Sequence, residues 1–119
     1  MKQRKIILNY KGKRVPLDLY VVPKSLHWLG LMFSSKKDAK PLLFEFPRES
    51  RLSIHSFFVW FSFIGIWLNK EGKVLKIERV EPFRLRILPK EKFKFLIELP
   101  IKSDYDDVLK ILDENKSFK

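Results

Sequence analysis

The stretch Val15-Pro16-Leu17-Asp18-Leu19-Tyr20-Val21-Val22 decides the fold class. Its apolar residues Val15, Leu17, Leu19 and Val21 fall on every second position. That is the period of a strand with one buried face, not the 3.6-residue period of a helix. Pro16 has no backbone N–H to donate, so it belongs on an edge or facing outward. Just upstream, Lys5–Tyr10 is β-rich through Ile6, Ile7, Leu8 and Tyr10, and Lys11-Gly12-Lys13-Arg14 turns the chain between the two segments. Together they predict an opening hairpin.

Further along, Pro23-Lys24-Ser25 ends the second strand. Ser25 suits a helix N-cap, and Leu26, Leu29 and Phe33 predict a short helix across Leu26–Met32, with Gly30 limiting its length. Leu42–Phe46 is a strand candidate between Pro41 and Pro47. Ile54–Leu68 then runs fifteen residues without a charge. A membrane-spanning helix needs roughly 20 apolar residues, and this run is interrupted by Ser56, Ser62 and Gly65. One straight strand of that length would reach about 50 Å. The expectation is a long strand bent near Ser62–Gly65, with no membrane span.

Asn69-Lys70-Glu71-Gly72 predicts a turn with Gly at a left-handed position. Lys73–Val80 returns with Leu75 and Ile77 on one face. Phe83–Leu88 places Phe83, Leu85 and Ile87 inward and Arg84 and Arg86 outward. After Pro89-Lys90-Glu91, Lys92–Leu99 puts Phe93, Phe95, Ile97 and Leu99 on one face. The end is helical over about 103–115, with Ser103 as N-cap, Asp104, Asp106 and Asp107 at its positive end, and an apolar stripe of Tyr105, Val108, Leu109 and Leu112. The predicted architecture is mainly β: a small antiparallel β-barrel or sandwich with a short helix after strand 2 and a C-terminal amphipathic helix, α+β by strict count. One domain spans 1–119, its β core at about 5–100.

Composition narrows the chemistry. The absence of Cys excludes disulfides, thiolate metal sites and Cys nucleophiles. No apolar segment with a cleavage site follows Met1, so the cytoplasm is the expected location. The formal net charge is +11. Residues 1–14 hold six bases and no acid, whereas 103–119 hold five acids against three bases, leaving +13 for residues 1–102. Such a field attracts nucleic acid or an anionic surface. The same richness in Lys and Glu also suits a heat-adapted protein that is simply kept soluble.

His27 and His55 are the only histidines, and neither has a second ligand at metal-like spacing. His55 and Ser56 are neighbours, which in a strand face opposite ways and cannot pair as base and nucleophile. Asp104, Asp106 and Asp107 are explained by helix capping. With four glycines in the chain, no phosphate-cradling loop is present. No catalytic motif, metal site or cofactor is therefore predicted. Strand alternation sets Glu98 opposite Phe95, Ile97 and Leu99, where a partly buried carboxylate needs a partner.

Five segments occur in a familiar order: Gly30-Leu31-Met32-Phe33, Leu42-Leu43-Phe44-Glu45-Phe46, Ile54-His55-Ser56-Phe57-Phe58, Ile66-Trp67-Leu68-Asn69-Lys70-Glu71-Gly72-Lys73-Val74 and Ile97-Glu98-Leu99-Pro100. Over roughly residues 15–100 the chain resembles the domain-of-unknown-function 192 family. The resemblance implies a compact antiparallel β-barrel or sandwich with a short helix. Where that family usually reads Phe-Met-Arg-Phe-Pro-Ile-Asp, this chain has Phe58-Val59-Trp60-Phe61-Ser62-Phe63-Ile64, so the expected Arg and Asp are Trp60 and Ile64. The usual Gly-rich segment after Glu-Leu-Pro is replaced by Ile101-Lys102-Ser103 and the acidic helix.

Three functions follow in order. The first is a non-enzymatic module binding a small molecule or protein partner in a cleft of Leu31, Met32, Phe33, His55, Phe57 and Glu98. The second is a nucleic-acid-binding domain using outward bases Lys11, Lys13, Arg14, Arg84, Arg86, Lys92 and Lys94. The third is an enzyme whose catalytic residues follow no known motif.

Overall fold

The alternating segment around Val15 is a strand, and its apolar positions are the ones that are buried: Val15, Leu17 and Leu19 are at most 3% exposed. The computed structural model describes residues 2–23, 38–50, 61–82, 91–102 and 105–112. They hold β1 (Lys2–Tyr10), β2 (Lys13–Val21), β3 (Leu42–Ser50), β4 (Phe63–Leu68), β5 (Val74–Val80), β6 (Phe93–Pro100) and one helix, α1 (Asp106–Leu112). The strands form one sheet in the order β1-β2-β3-β6-β4-β5. It curls until its edge strands, β1 and β5, approach each other. The mainly β expectation therefore holds, as one curled sheet rather than two stacked ones. The helix expected at Leu26–Met32 and the strand expected at Phe83–Leu88 lie outside the described residues.

The opening hairpin is tighter than expected. Tyr10 pairs with Lys13, so the turn is Lys11-Gly12 alone and Lys13 and Arg14 belong to β2. Both turn residues have positive φ, 50° at Lys11 and 77° at Gly12, the backbone that matches the twist of a two-residue hairpin. Tyr20 N donates to Pro41 O at 2.9 Å, away from β1. Pro16 has the same parity, so its missing N–H falls on the side of β2 turned away from β1. β2 and β3 run parallel over Tyr20–Val21 and Leu42–Leu43, which corrects the all-antiparallel expectation. The long connection between them returns the chain to the same end of the sheet.

Two apolar clusters occupy the two faces. The first contains Leu8, Val15, Leu17, Leu19, Leu43, Ile64, Ile66, Leu68, Ile97 and Leu99, and Leu109 and Leu112 of α1 close it. The second contains Phe44, Phe61, Phe63, Trp67, Val80, Phe93 and Leu96. β4 serves both, and all six of its residues are buried. That double burial is why its sequence carries no charge. No helix among the described residues is long and apolar enough to cross a membrane.

The bend expected near Ser62–Gly65 falls at Phe61, next to Ser62, and Gly65 itself pairs in regular register with both Glu78 and Glu98. Two expectations about faces are corrected by irregular pairing. Trp67 pairs with Lys76 but Leu68 with Val74, so Leu75 is an extra residue on β5. This bulge sends Leu75 to the second cluster and leaves Ile77 on the first. A register shift between Glu45 and Ser50 likewise separates Phe93 from Phe95, Ile97 and Leu99. Phe93 packs edge-to-face on Phe46, with ring centres 5.4 Å apart.

Gly65 has its own physical reason. A Cβ there would lie 2.7 Å from the Trp67 indole, a ring that is 0% exposed and has no room to retreat. Gly65→Ala is expected to cost about 1–3 kcal/mol by overpacking, read as a lower urea midpoint. An unchanged midpoint would contradict this packing. Truncation after Lys102 removes Leu109 and Leu112 from the first cluster and is expected to cost solubility. A soluble, equally stable truncated chain would show that α1 does not hold that core.

Candidate functional site

The second face of the sheet carries the described polar groups that are hardest to explain by folding alone. Glu98 is 6% exposed, the one buried charged side chain among the described residues. It faces the same way as Leu96 because residues two apart in a strand share a face. Across the sheet it is flanked by Leu42 on β3 and Gly65 on β4. On the other side of Gly65 sits Glu78 of β5. Two carboxylate-bearing positions therefore flank a glycine, and the Trp67 indole lies over that glycine.

Burying a carboxylate costs several kcal/mol unless partners replace water. Glu98 is not left unpaired, yet a carboxylate accepts at about four lone-pair sites, so one partner does not exhaust it. Trp67 adds a donor: its Nε1 is buried and has no hydrogen-bond partner among the described residues. Lys76 lies over the Trp67 ring, its Nζ 5.4 Å from the centroid, and 3.7 Å from Glu78 Oε1. This face thus combines two acids, one base, an indole donor and the rings of Phe44, Phe61 and Phe63.

Of the predicted cleft, Glu98 is placed, and its side chain joins the aromatic face. Leu31, Met32, Phe33, His55 and Phe57 lie outside the described residues. Of the outward bases, Arg84 and Arg86 also lie outside them. Lys11, Lys13 and Arg14 are exposed at the β1–β2 tip, and Lys92 is exposed before β6. Lys94 differs: its Nζ donates to Phe46 O at 3.0 Å and lies 3.8 Å from Glu45 Oε2, with the side chain 23% exposed. It is a tethering residue of β6 and β3, not a base projecting into solvent. The described bases do not gather at one end of the sheet. β2 parallels β3, and β6 runs antiparallel to β3 with Phe93 opposite Ser50, so Lys92 and the hairpin tip lie at opposite ends of the strands.

Sequence reasoning missed Gly65, Trp67 and Glu78. The Gly-x-Trp spacing was the available signal, since it puts a hole and a large ring on one face of a strand.

The segments Leu42–Phe46, Ile66–Val74 and Ile97–Pro100, which carried the family resemblance, converge around Glu98 in adjacent strands. A UPF0127 protein of Pyrococcus horikoshii is 37% identical over 90 residues, covering 69% of this chain and 76% of the relative. The chain belongs to the UPF0127 family. UPF0127 and domain of unknown function 192 name the same family, so the resemblance stands. A UPF0127 protein of Pyrococcus furiosus is 30% identical over 93 residues, 76% of this chain and 78% of its own length. One from Thermococcus sibiricus is 39% identical over 62 residues, 50% of this chain and 40% of its own. No family model matches the chain.

Two crystal structures share the fold. One is a Sinorhizobium meliloti protein to which a transcription-regulator role has been ascribed, with TM-score 0.72, 18% identity, and coverage of 89% of this chain and 84% of that one. The other is a protein of unknown function from Novosphingobium aromaticivorans, with TM-score 0.71, 11% identity, and coverage of 89% and 78%. At these identities they speak for the architecture alone. Within the UPF0127 pattern, Ile64 replaces the expected Asp. It is 0% exposed in the first cluster, so this position is pure core here, on the face opposite Glu98.

If Trp67 fills the space above Gly65, the two positions are coupled. In a Trp67→Phe background, Gly65→Ala is expected to cost less than in the native chain, with a coupling of at least about 0.5 kcal/mol in a double-mutant cycle. Additive effects would mean that the ring and the glycine do not constrain each other.

Proposed function

We propose that this UPF0127 domain is a non-enzymatic binding module whose site is built on the second face of the sheet around Glu98, completed by Leu31, Met32, Phe33, His55 and Phe57. The observation that carries the reading is the burial of Glu98 in a face packed mainly with apolar and aromatic side chains. A few polar groups converging on an apolar surface are the usual make-up of a ligand site. The chemistry favours a ligand with a hydrogen-bond donor or positive charge for Glu98 and a flat apolar body for the rings. An acceptor on that ligand would satisfy Trp67 Nε1–H.

The test is thermal denaturation with putrescine, arginine and uncharged glucose as probes. A ligand at a hundred times its dissociation constant stabilises the fold by about 2.7 kcal/mol. The amine or guanidinium probe is expected to raise Tm in the native protein but not in Glu98→Gln, whose own Tm stays close to native. Glucose is expected to have no effect. A Glu98→Gln protein that loses several kcal/mol, together with no probe response in the native chain, would assign Glu98 a purely structural role.

A further inference from the structure

The β1–β2 hairpin is independent of the Glu98 face, and its charge is not accounted for by the core. Its buried side, Leu8, Val15, Leu17 and Leu19, belongs to the first cluster under α1. Its other side bears Lys5, Ile7, Asn9, Arg14, Pro16 and Asp18, all exposed. At the tip, Lys11, Lys13 and Arg14 are exposed within four residues, and residues 1–14 contain no acid. Arg4 is neutralised by Glu45 at 3.5 Å, and Lys5 stands opposite Asp18. The acids Asp106 and Asp107 sit on α1, which packs against the hairpin's buried side. Lys13 is already engaged, so the excess positive charge at the tip rests first on the exposed Lys11 and Arg14.

Among the described residues, the opposite end of the strands carries mixed charge. Lys70, Lys73 and Lys92 are exposed there, together with Glu71 and Glu91. Glu49 also accepts a hydrogen bond from Lys70 N at 3.0 Å. Among the described residues, an exposed tip with three bases and no acid, against an end of mixed charge, is an asymmetry that general solubility does not require.

We propose that the tip of the β1–β2 hairpin docks nucleic acid through its phosphates, with Lys11, Lys13 and Arg14 as the contacting residues. The shape fits: a two-stranded ribbon is one of the elements that the major groove of duplex DNA admits. The turn holds its bases in place, because Lys11-Gly12 is a tight two-residue reversal and Lys11 Nζ rests 5.3 Å from the centre of the Tyr10 ring. An anionic membrane is the weaker partner. Among described large apolar side chains only Ile7 is exposed, at 49%, which offers little area for insertion. Phosphate contacts of this kind position a protein without reading sequence.

The experiment compares two variants of equal charge for binding to a fluorescent 20-base-pair DNA duplex from 50 to 200 mM salt. The tip variant is Lys11→Asn with Lys13→Gln and Arg14→Gln, Asn being chosen because it tolerates positive φ. The control variant is Lys70→Gln with Lys73→Gln and Lys92→Gln, and circular dichroism verifies both folds. Single Arg14→Gln is carried alongside in case the triple tip variant does not fold. Each phosphate contact contributes about 0.9 to the slope of log affinity against log salt. The tip variant is expected to bind at least about tenfold more weakly and to flatten the slope by roughly 2 to 3. The single variant is expected to weaken binding several-fold, and the control to change it less than threefold. Equal losses in tip and control would reduce the effect to net charge and overturn the proposal. So would no measurable duplex binding, or tip-dependent binding to phosphatidylserine vesicles without tip-dependent binding to the duplex. These outcomes are separate from the Glu98 ligand test.

Discussion

The structure depends on one strand being buried on both faces. β4 gives Ile64, Ile66 and Leu68 to the cluster beneath α1, and Phe63 and Trp67 to the aromatic cluster on the other side. A strand in that position has no face for charge, and it needs one place where a large ring can close onto the backbone. Gly65 is that place. The indole over it brings the aromatic cluster down onto the sheet beside Glu98, so the packing that secures the centre of the fold also builds the environment of its buried carboxylate.

Charge follows the same geometry. The three central strands β3, β6 and β4 are shielded by one cluster or both, whereas β1 and β2 have one buried face and one in solvent. Bases accumulate where the sheet is half-exposed, and the one buried charge among the described residues falls where it is covered on both sides. The two candidate interactions, a small ligand at Glu98 and phosphates at the hairpin tip, therefore use different parts of the sheet and impose no conflict on each other.

Much of this was legible in the sequence. The hairpin, the Asn69–Gly72 turn and the apolar stripe of α1 were all readable, because alternation, turn chemistry and helical spacing are local properties. Asn69 Oδ1 accepts from Glu71 N and Lys73 N at 3.0 and 2.9 Å, and Gly72 has φ of 84°, as the turn required. What was misread depends on pairing between distant segments. The bulge at Leu75 and the shift near Phe93 reverse faces without changing local periodicity, and no spacing rule reports them. The uncharged run was read as too long for one straight strand, and the chain does bend at Phe61 before β4; the lack of charge over β4 marks its burial on both sides. For the site, alternation placed Glu98 on its face, and membership of the UPF0127 family matched the segments around it. Trp67 and Glu78 became its neighbours only through the β5-β4-β6 register.

The central claim is that β4 is the most protected element of the fold, and native-state hydrogen exchange tests it most directly. The account predicts that the amides of Ile64, Ile66 and Trp67, paired on both sides, exchange only through global unfolding. Their opening free energies should equal the stability measured by denaturation, while amides near the hairpin tip open at lower cost. If β4 amides exchange through local openings well below the global value, the doubly buried strand is not what the rest of the structure is built on.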